Sequence, residues 1–241
     1  MRLDLTILIP VFNEAENIAA LLDEIMAVLE GRAEYEIIVV DDGSTDNTPA
    51  VLSACQTRCP QLKMIRHRVR RGQSAALVTG VAATRTSWFV TLDGDGQNDP
   101  ADILRLFRIM ERAAEDVRLV TGYRVRRRDP LAKRLAARIA NRVRRGVLGD
   151  RTPDSGCGLR LMARETFDRL PQFDHMHRFL PALVQRQGGG VVSFEVNHRA
   201  RRYGRSKYGI HDRLWTGIVD TLGVLWLQRR CLQVPNANED G

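Results

Sequence analysis

The stretch TLDGDGQND, residues 91–99, places Asp93, Asp95 and Asp99 within seven positions at the end of an apolar run. Carboxylates this close repel one another unless a cation sits among them. Two aspartates one residue apart suit a hard divalent ion, Mg2+ or Mn2+, which takes oxygen ligands and retains waters and substrate phosphates. One carboxylate can then bind the metal while the other reaches a ribose or a second metal-bound water. Gly94 and Gly96 allow a ligand to approach the backbone closely. Asp99 stands before Pro100 and reads instead as the cap of the following helix. A second acidic pair, Asp41 and Asp42, closes another apolar run, EIIVVDD.

The elements that must position these groups alternate. LTILIP (5–10), EIIVVDD (36–42), LKMIRH (62–67), SWFVTLD (87–93) and VRLVTGY (117–123) read as buried strands. Helical patterns lie between them: one through Leu21, Leu22, Ile25 and Leu29, one opening at Ser44, Thr45 or Asn47 as cap, one over 73–84 and one over 101–114. Repeated β-α-β units predict a mostly parallel sheet covered on both faces. Ligands of such sheets sit beyond the carboxyl ends of the strands, where both acidic pairs fall. Farther on, SGCGLRLMAR (155–164) reads as a turn entering a strand, 175–187 as a helix, 191–198 as a strand and 199–209 as a basic loop.

The second half is basic. Residues 124–145 carry ten Lys and Arg against one acid, Asp129, with Leu131, Leu135, Ile139 and Val143 every fourth position. That is a basic amphipathic helix, taken over 130–148. A second, 210–228, presents Ile210, Leu214, Trp215, Ile218, Val219, Leu222, Leu225 and Trp226. A catalytic domain over 1–209 followed by this helix and a polar tail, 210–241, is the expected division. The net charge of +8 favours an anionic partner. Only Lys63, Lys133 and Lys207 among the 37 basic residues are lysine, a bias that suits phosphate forks and equally follows from a GC-rich gene. Cys55 and Cys59 have no histidine near them in sequence, which argues against zinc. The opening residues read as a strand rather than a secretory signal, and 214–227 is too short to span a bilayer, so a cytoplasmic protein is expected.

Taken in order, ILIPVFNEAENI (7–18), IIVVDDGSTDNT (37–48) and VTLDGDGQNDP (90–100), followed by LVTGYR, SGCGLR and RRYGRSKYG, resemble the glycosyltransferase family 2 catalytic domain, of the Rossmann-like GT-A type. Within it the chain is most similar to polyprenyl-phosphate glycosyltransferases. The resemblance implies an inverting, metal-dependent transfer from a UDP- or GDP-linked sugar to undecaprenyl or dolichyl phosphate. It implies that Pro10, Phe12, Glu14 and Asp42 bind base and ribose, and that Asp93, Asp95 and Gln97 hold Mg2+ or Mn2+ under the diphosphate. Arg124, Arg134 or Arg138, Arg201, Ser206 and Lys207 would hold the phosphates, with Asp95, Arg124 and Lys207 closest to the chemistry. Without the resemblance, Pro10 and Phe12 read as strand-end packing and Glu14 as a favourable charge in a helix's first turn.

Departures and rivals follow. Ala137 stands four residues before Asn141 where relatives carry serine, so one acceptor contact is absent or replaced. Many relatives continue into transmembrane helices; here 131–148 and 210–228 would lie on the bilayer, or a membrane protein would recruit the enzyme. Core packing or a homo-oligomer interface is the other use of both faces. A polyprenyl phosphate is already ionised, with a second pKa of roughly 6, and needs positioning cations more than a base. A transferase acting on a hydroxyl needs a carboxylate base, for which Asp154 is the candidate. A nucleic-acid-binding module would leave Asp93 and Asp95 without a role and lacks interleaved aromatics.

Overall fold

A computed structural model describes residues 3–125, 146–150, 152–201, 203 and 210–230, with 210–216 as backbone. The basic helix up to 145, with Arg134, Arg138, Ala137 and Asn141, lies outside the described residues, as do Ser206, Lys207 and the tail from 231. Strands β1 (Leu3–Val11), β2 (Ala33–Asp41), β3 (Leu62–Arg66), β4 (Trp88–Thr91), β5 (Val117–Tyr123), β6 (Arg160–Ala163) and β7 (Gly190–Glu195) form one seven-stranded sheet, ordered β3-β2-β1-β4-β6-β5-β7. The helices are α1 (Ile18–Leu29), α2 (Thr48–Gln56), α3 (Gln73–Ala83), α4 (Asp102–Glu111), α5 (Arg164–Asp168), α6 (Leu180–Arg186) and α7 (Ile210–Arg229).

Strand alternation divides the core into two layers. Leu5, Ile7 and Ile9 of β1 face one way, against Leu21, Leu22 and Ile25 of α1 and Ile103 and Leu106 of α4. Leu8, with Ile38 and Val40 of β2, faces the other way, against Ala76, Leu77 and Val81 of α3 and Leu183 of α6. Burial on both faces is why these strands read as continuous apolar runs rather than alternating ones.

The sheet is mostly parallel, as expected, with one inversion. β6 runs antiparallel between β4 and β5, pairing Thr91 with Arg160 on one side and Thr121 with Arg160 on the other. The four-residue strand RLMA therefore separates two strands that are consecutive among those read from the sequence. Other differences are local. The helix expected over 175–187 is a 3-10 turn, Met176–Arg178, and then α6, because Pro181 in the first turn of α6 starts a new helix rather than continuing one. α5 was not foreseen, its first residue, Arg164, having closed the strand read over 155–164, and α4 ends at Glu111 rather than 114. α2 is not capped by Ser44, Thr45 or Asn47; Asp46 Oδ1 accepts the Thr48 amide at 2.9 Å and its hydroxyl at 2.6 Å.

α7 rests on the second layer through Val224 and Leu225. Arg186 Nε donates to the Leu227 carbonyl at 2.9 Å, Gln228 Nε2 to the Leu148 carbonyl at 3.0 Å, and Asp220 meets His175 Nδ1 at 3.1 Å. The opposite face is apolar and open: Ile218, Val219, Leu222 and Trp226 are 46, 52, 58 and 58% exposed. The apolar residues of this helix are thus shared between the core and the outside.

Candidate functional site

Three strand ends build the site. Past β1, Asn13 takes a left-handed conformation (φ 54°), and its Oδ1 accepts the Thr45 amide at 2.8 Å. The Asn13 amide donates to Ser44 Oγ and the Glu14 amide to Thr48 Oγ1, both at 2.9 Å, which stitches the loops after β1 and β2 together. Past β2, Asp41 is fully buried; it accepts the Ser44 amide at 2.8 Å and pairs with Arg66 at 3.1 Å. Asp42 accepts from His67 Nδ1 and from the amides of Arg71 and Gly72, each at 2.8 Å. The carboxylate assigned to base or ribose therefore also folds the loop 67–72 onto the site. Gly43 (φ 73°) admits that loop: a Cβ there would lie 2.8 Å from the backbone of Val69 and Arg70. The Arg70 guanidinium covers the Phe12 ring at 4.3 Å, and Pro10 is half-buried beside it in sequence.

Past β4, Asp93 and Asp95 are both half-buried in charge-rich surroundings. Burial pushes the Asp93 carboxyl above the usual range, Glu14 adds to this, and Arg124 and Arg160 pull against it. Burial likewise raises Asp95, to about 6, with the Asp93 charge next; the Gln97 amide and Arg201 oppose the shift. The Gln97 amide donates to Asp95 Oδ1 at 3.1 Å. Its side-chain nitrogen donates to the Arg199 carbonyl at 3.3 Å and lies 3.4 Å from His198 Nε2, leaving the carbonyl oxygen for a cation. An Asn98–His198 bridge draws the strand after β7 onto this loop. Two half-buried carboxylates, one of them raised by the charge of the other, beside an amide oxygen, are a donor set that fits Mg2+ or Mn2+. Among the described residues no three His, Cys, Asp or Glu side chains form a closed metal cage, so water or substrate oxygens would complete the coordination. Asp99 is spent elsewhere, accepting the Ala101 amide at 3.0 Å and Arg199 at 2.8 Å; it shapes the turn before α4 but does not cap it, the N-cap position being Ala101.

Of the cations expected to hold phosphate, the two among the described residues, Arg124 and Arg201, are paired within the protein. Arg124 donates to both oxygens of Asp154, at 2.6 and 3.1 Å, in a pair only 14% and 8% exposed. Burial alone would lower the Arg124 pKa, yet Asp154 holds it raised. Arg201 Nη2 meets Glu14 Oε1 at 2.6 Å, and Asn17 holds the other Glu14 oxygen at 2.8 Å. Glu14, expected at the base and ribose, and Arg201, expected at the phosphates, are therefore partners. The structure brings Glu14, Asp93, Asp95, Gln97, Arg124 and Arg201 into one region.

Several contributors were not singled out from the sequence. Gln73, the first residue of α3, donates to Asp93 Oδ1 at 3.1 Å. Ser74 beside it shares a 2.8 Å hydrogen bond with His177, whose pKa burial drives well below its usual value, with Arg160 contributing. Arg160 is buried, donating to the Ser155 carbonyl at 2.7 Å. Gly158 lies against the Asp93 carboxylate. Gly158 and Arg160 sat inside a quoted motif; Gln73, His177 and His198 had no local signal.

A sequence model described as glycosyl transferase family 2 matches residues 6–170. A dodecaprenyl-phosphate galacturonate synthase of Rhizobium johnstonii is 33% identical over 236 residues, covering 94% of this chain and 68% of its own length. An undecaprenyl-phosphate 4-deoxy-4-formamido-L-arabinose transferase of Sodalis glossinidius is 34% identical, over 87% of this chain and 64% of its own, slightly under two thirds. Among solved structures, glucosyl-3-phosphoglycerate synthase of Mycobacterium tuberculosis superimposes with a TM-score of 0.69 at 21% identity, over 97% of this chain and 81% of that one. A further structure of that enzyme, with Mn2+, UDP-glucose and phosphoglyceric acid, gives 0.68. The likeness is one of fold, the α/β GT-A architecture.

Proposed function

The chain belongs to glycosyl transferase family 2, and we propose that it is the glycosyltransferase that moves a sugar from a nucleotide diphosphate sugar to a polyprenyl phosphate, undecaprenyl or dolichyl. The names of the relatives support that acceptor. The observation that carries it is the engagement of the carboxylates around the site. Apart from Asp93 and Asp95, those named at the strand ends are committed: Glu14 to Arg201 and Asn17, Asp42 to His67 and two amides, Asp154 to Arg124 and the Gly156 amide. A hydroxyl acceptor requires a group to take its proton, and Asp154, held by a guanidinium, is a poor base. A phosphate acceptor brings its own anionic oxygen.

In the proposed reaction that oxygen attacks the anomeric carbon in line with the departing diphosphate. One C–O bond forms as the other breaks, the anomeric centre inverts, and the nucleoside diphosphate leaves with the electron pair. Mg2+ or Mn2+ held by Asp93, Asp95 and the Gln97 carbonyl would neutralise the charge on that leaving group. Glu14, Phe12 and the loop closed by Asp42 orient the nucleotide, and Arg124, Arg201 and Lys207 supply positive potential toward the phosphates. Both UDP and GDP donors are compatible with this arrangement. The test is transfer from a panel of UDP- and GDP-sugars to a short polyprenyl phosphate, with Mn2+ or EDTA. Metal-dependent formation of the lipid-linked sugar is expected; transfer to a saccharide hydroxyl alone would select the rival reading.

A lipid acceptor needs access to a membrane. Among the described residues no helix is long and apolar enough to cross one. The open face of α7 supports peripheral docking on the cytoplasmic face: Ile218, Val219, Leu222 and Trp226 end beside Arg229 and Arg230, a pattern for anionic lipid. Replacing Leu222 and Trp226 by aspartate and serine should reduce co-sedimentation with phosphatidylglycerol vesicles about tenfold or more while the melting temperature holds, since both side chains are exposed. Unchanged sedimentation would point to a membrane protein partner or a homo-oligomer contact instead.

A further inference from the structure

The orientation of the Asp93 carboxylate is set from three directions. Its own amide donates to Asn98 Oδ1 at 3.1 Å, which holds the backbone at the end of β4. Gln73 Nε2 donates to Oδ1 at 3.1 Å. The third constraint is a surface: a Cβ on Gly158 would lie 2.3–2.4 Å from the carboxylate carbon and from both oxygens, so the group lies flat against a residue with no side chain.

Gln73 is itself held firmly. It is the first residue of α3, and the two amides before it, Arg71 and Gly72, are clamped by Asp42 at 2.8 Å. The residue after it, Ser74, is tied to buried His177. Both neighbours are fixed through different elements, so the Gln73 amide approaches Asp93 from a defined direction. The same end of α3 thus shapes the nucleotide loop through Asp42 and the acidic loop through Gln73.

We infer that Gln73 is a positioning residue that, by occupying Asp93 Oδ1 over the flat face left by Gly158, presents Oδ2 to the divalent cation. This rests on the metal reading given above and adds the residue that orients its first ligand. Partners of this kind fix the orientation of a metal-binding carboxylate, and their loss typically weakens metal affinity about 10–100-fold.

The test is titration of the full-length protein with Mn2+ alone, followed by the electron paramagnetic resonance signal of the free ion, with melting measured in EDTA. Gln73→Met keeps the length of the side chain and removes the donor; it should raise the Mn2+ Kd about 10–100-fold and leave melting unchanged. Gln73→His restores an N–H donor and should recover most of the loss. Gly158→Ala provides an independent variant. The atoms in its way are the end of one side chain, so the fold should tolerate it while the carboxylate turns and Mn2+ affinity falls as in Gln73→Met. Gln73→Met binding Mn2+ as tightly as the unaltered protein would overturn the assignment, as would a fall in melting with Mn2+ affinity intact. If the unaltered protein bound no Mn2+, the metal reading itself would fail and the inference with it.

Discussion

Asp95→Asn should stabilise the metal-free protein while removing its activity. The Asp95 carboxyl is raised from 3.8 to about 6, by burial first and then by the Asp93 charge. A folded-state pKa above the unfolded one means that the folded protein holds this proton more tightly. The ionised group is therefore neutral toward stability below about pH 4 and progressively destabilising as pH rises through 6. One pKa unit corresponds to about 1.4 kcal/mol, so a shift from 3.8 to about 6 puts on the order of 3 kcal/mol of strain on the metal-free fold at pH 7.5, which asparagine removes. For a chain of this size that is a rise of about 6–12 °C in melting temperature. The rise should appear in EDTA at pH 7.5 and fade at pH 4.

Saturating Mn2+ should reverse the order, raising the melting temperature of the unaltered protein alone, since only a ligand that binds the folded state stabilises it. Transfer should fall by about 10²–10³-fold, the usual loss when a group stabilising developing charge is removed. In the unaltered enzyme, Mn2+ affinity should drop as pH falls through 6, where the proton competes for Asp95. Equal melting of the two proteins in EDTA at pH 7.5 would show that the two carboxylates are not in conflict.

Asp154→Asn is expected to act in the opposite sense, on the fold more than on the chemistry. Removing one partner of a buried ion pair leaves the other charge uncompensated and costs about 3–5 kcal/mol. With Arg124 and Asp154 almost excluded from solvent, melting should fall by about 6–20 °C. Transfer to polyprenyl phosphate per folded molecule should stay within about tenfold, because no proton has to be taken from that acceptor. Arg124→Met combined with Asp154→Leu should recover much of the stability, as apolar replacement of a buried pair often does. A general base would behave otherwise. Its loss would leave melting nearly unchanged and abolish transfer to a hydroxyl acceptor at every pH.

The strand ends were legible because acidic residues that close apolar runs are conspicuous and because strands buried on both faces read as unbroken apolar stretches. Asp93 and Asp95 stood out for the same reason, and Gln97 beside them through the ordered motifs, which named the family. The pairings between them were not. Arg124 and Asp154 lie thirty residues apart, and Glu14 and Arg201 lie 187 apart. Nothing in either neighbourhood distinguishes a cation waiting for phosphate from one already paired. The direction of β6 was equally hidden, since a strand of four residues, RLMA, carries no sign of which way it runs. Pro181 did mark the start of α6, and that signal was available in the sequence.

The placement of β6 also orders the assembly of the protein in time. Strands β1 to β4 can pair as soon as residue 91 has been synthesised, each with a neighbour in the order β3-β2-β1-β4. β5 has no such partner; it joins the sheet only through β6, which begins at Arg160, and β7 adds to it later still. Joining segments so far apart in sequence is the slow part of folding. On the ribosome, the nucleotide half should therefore consolidate first, with one edge of β4 uncovered until β6 arrives. The acidic loop after β4 waits as well, because the bridge from Asn98 to His198 closes only when the final strand has passed.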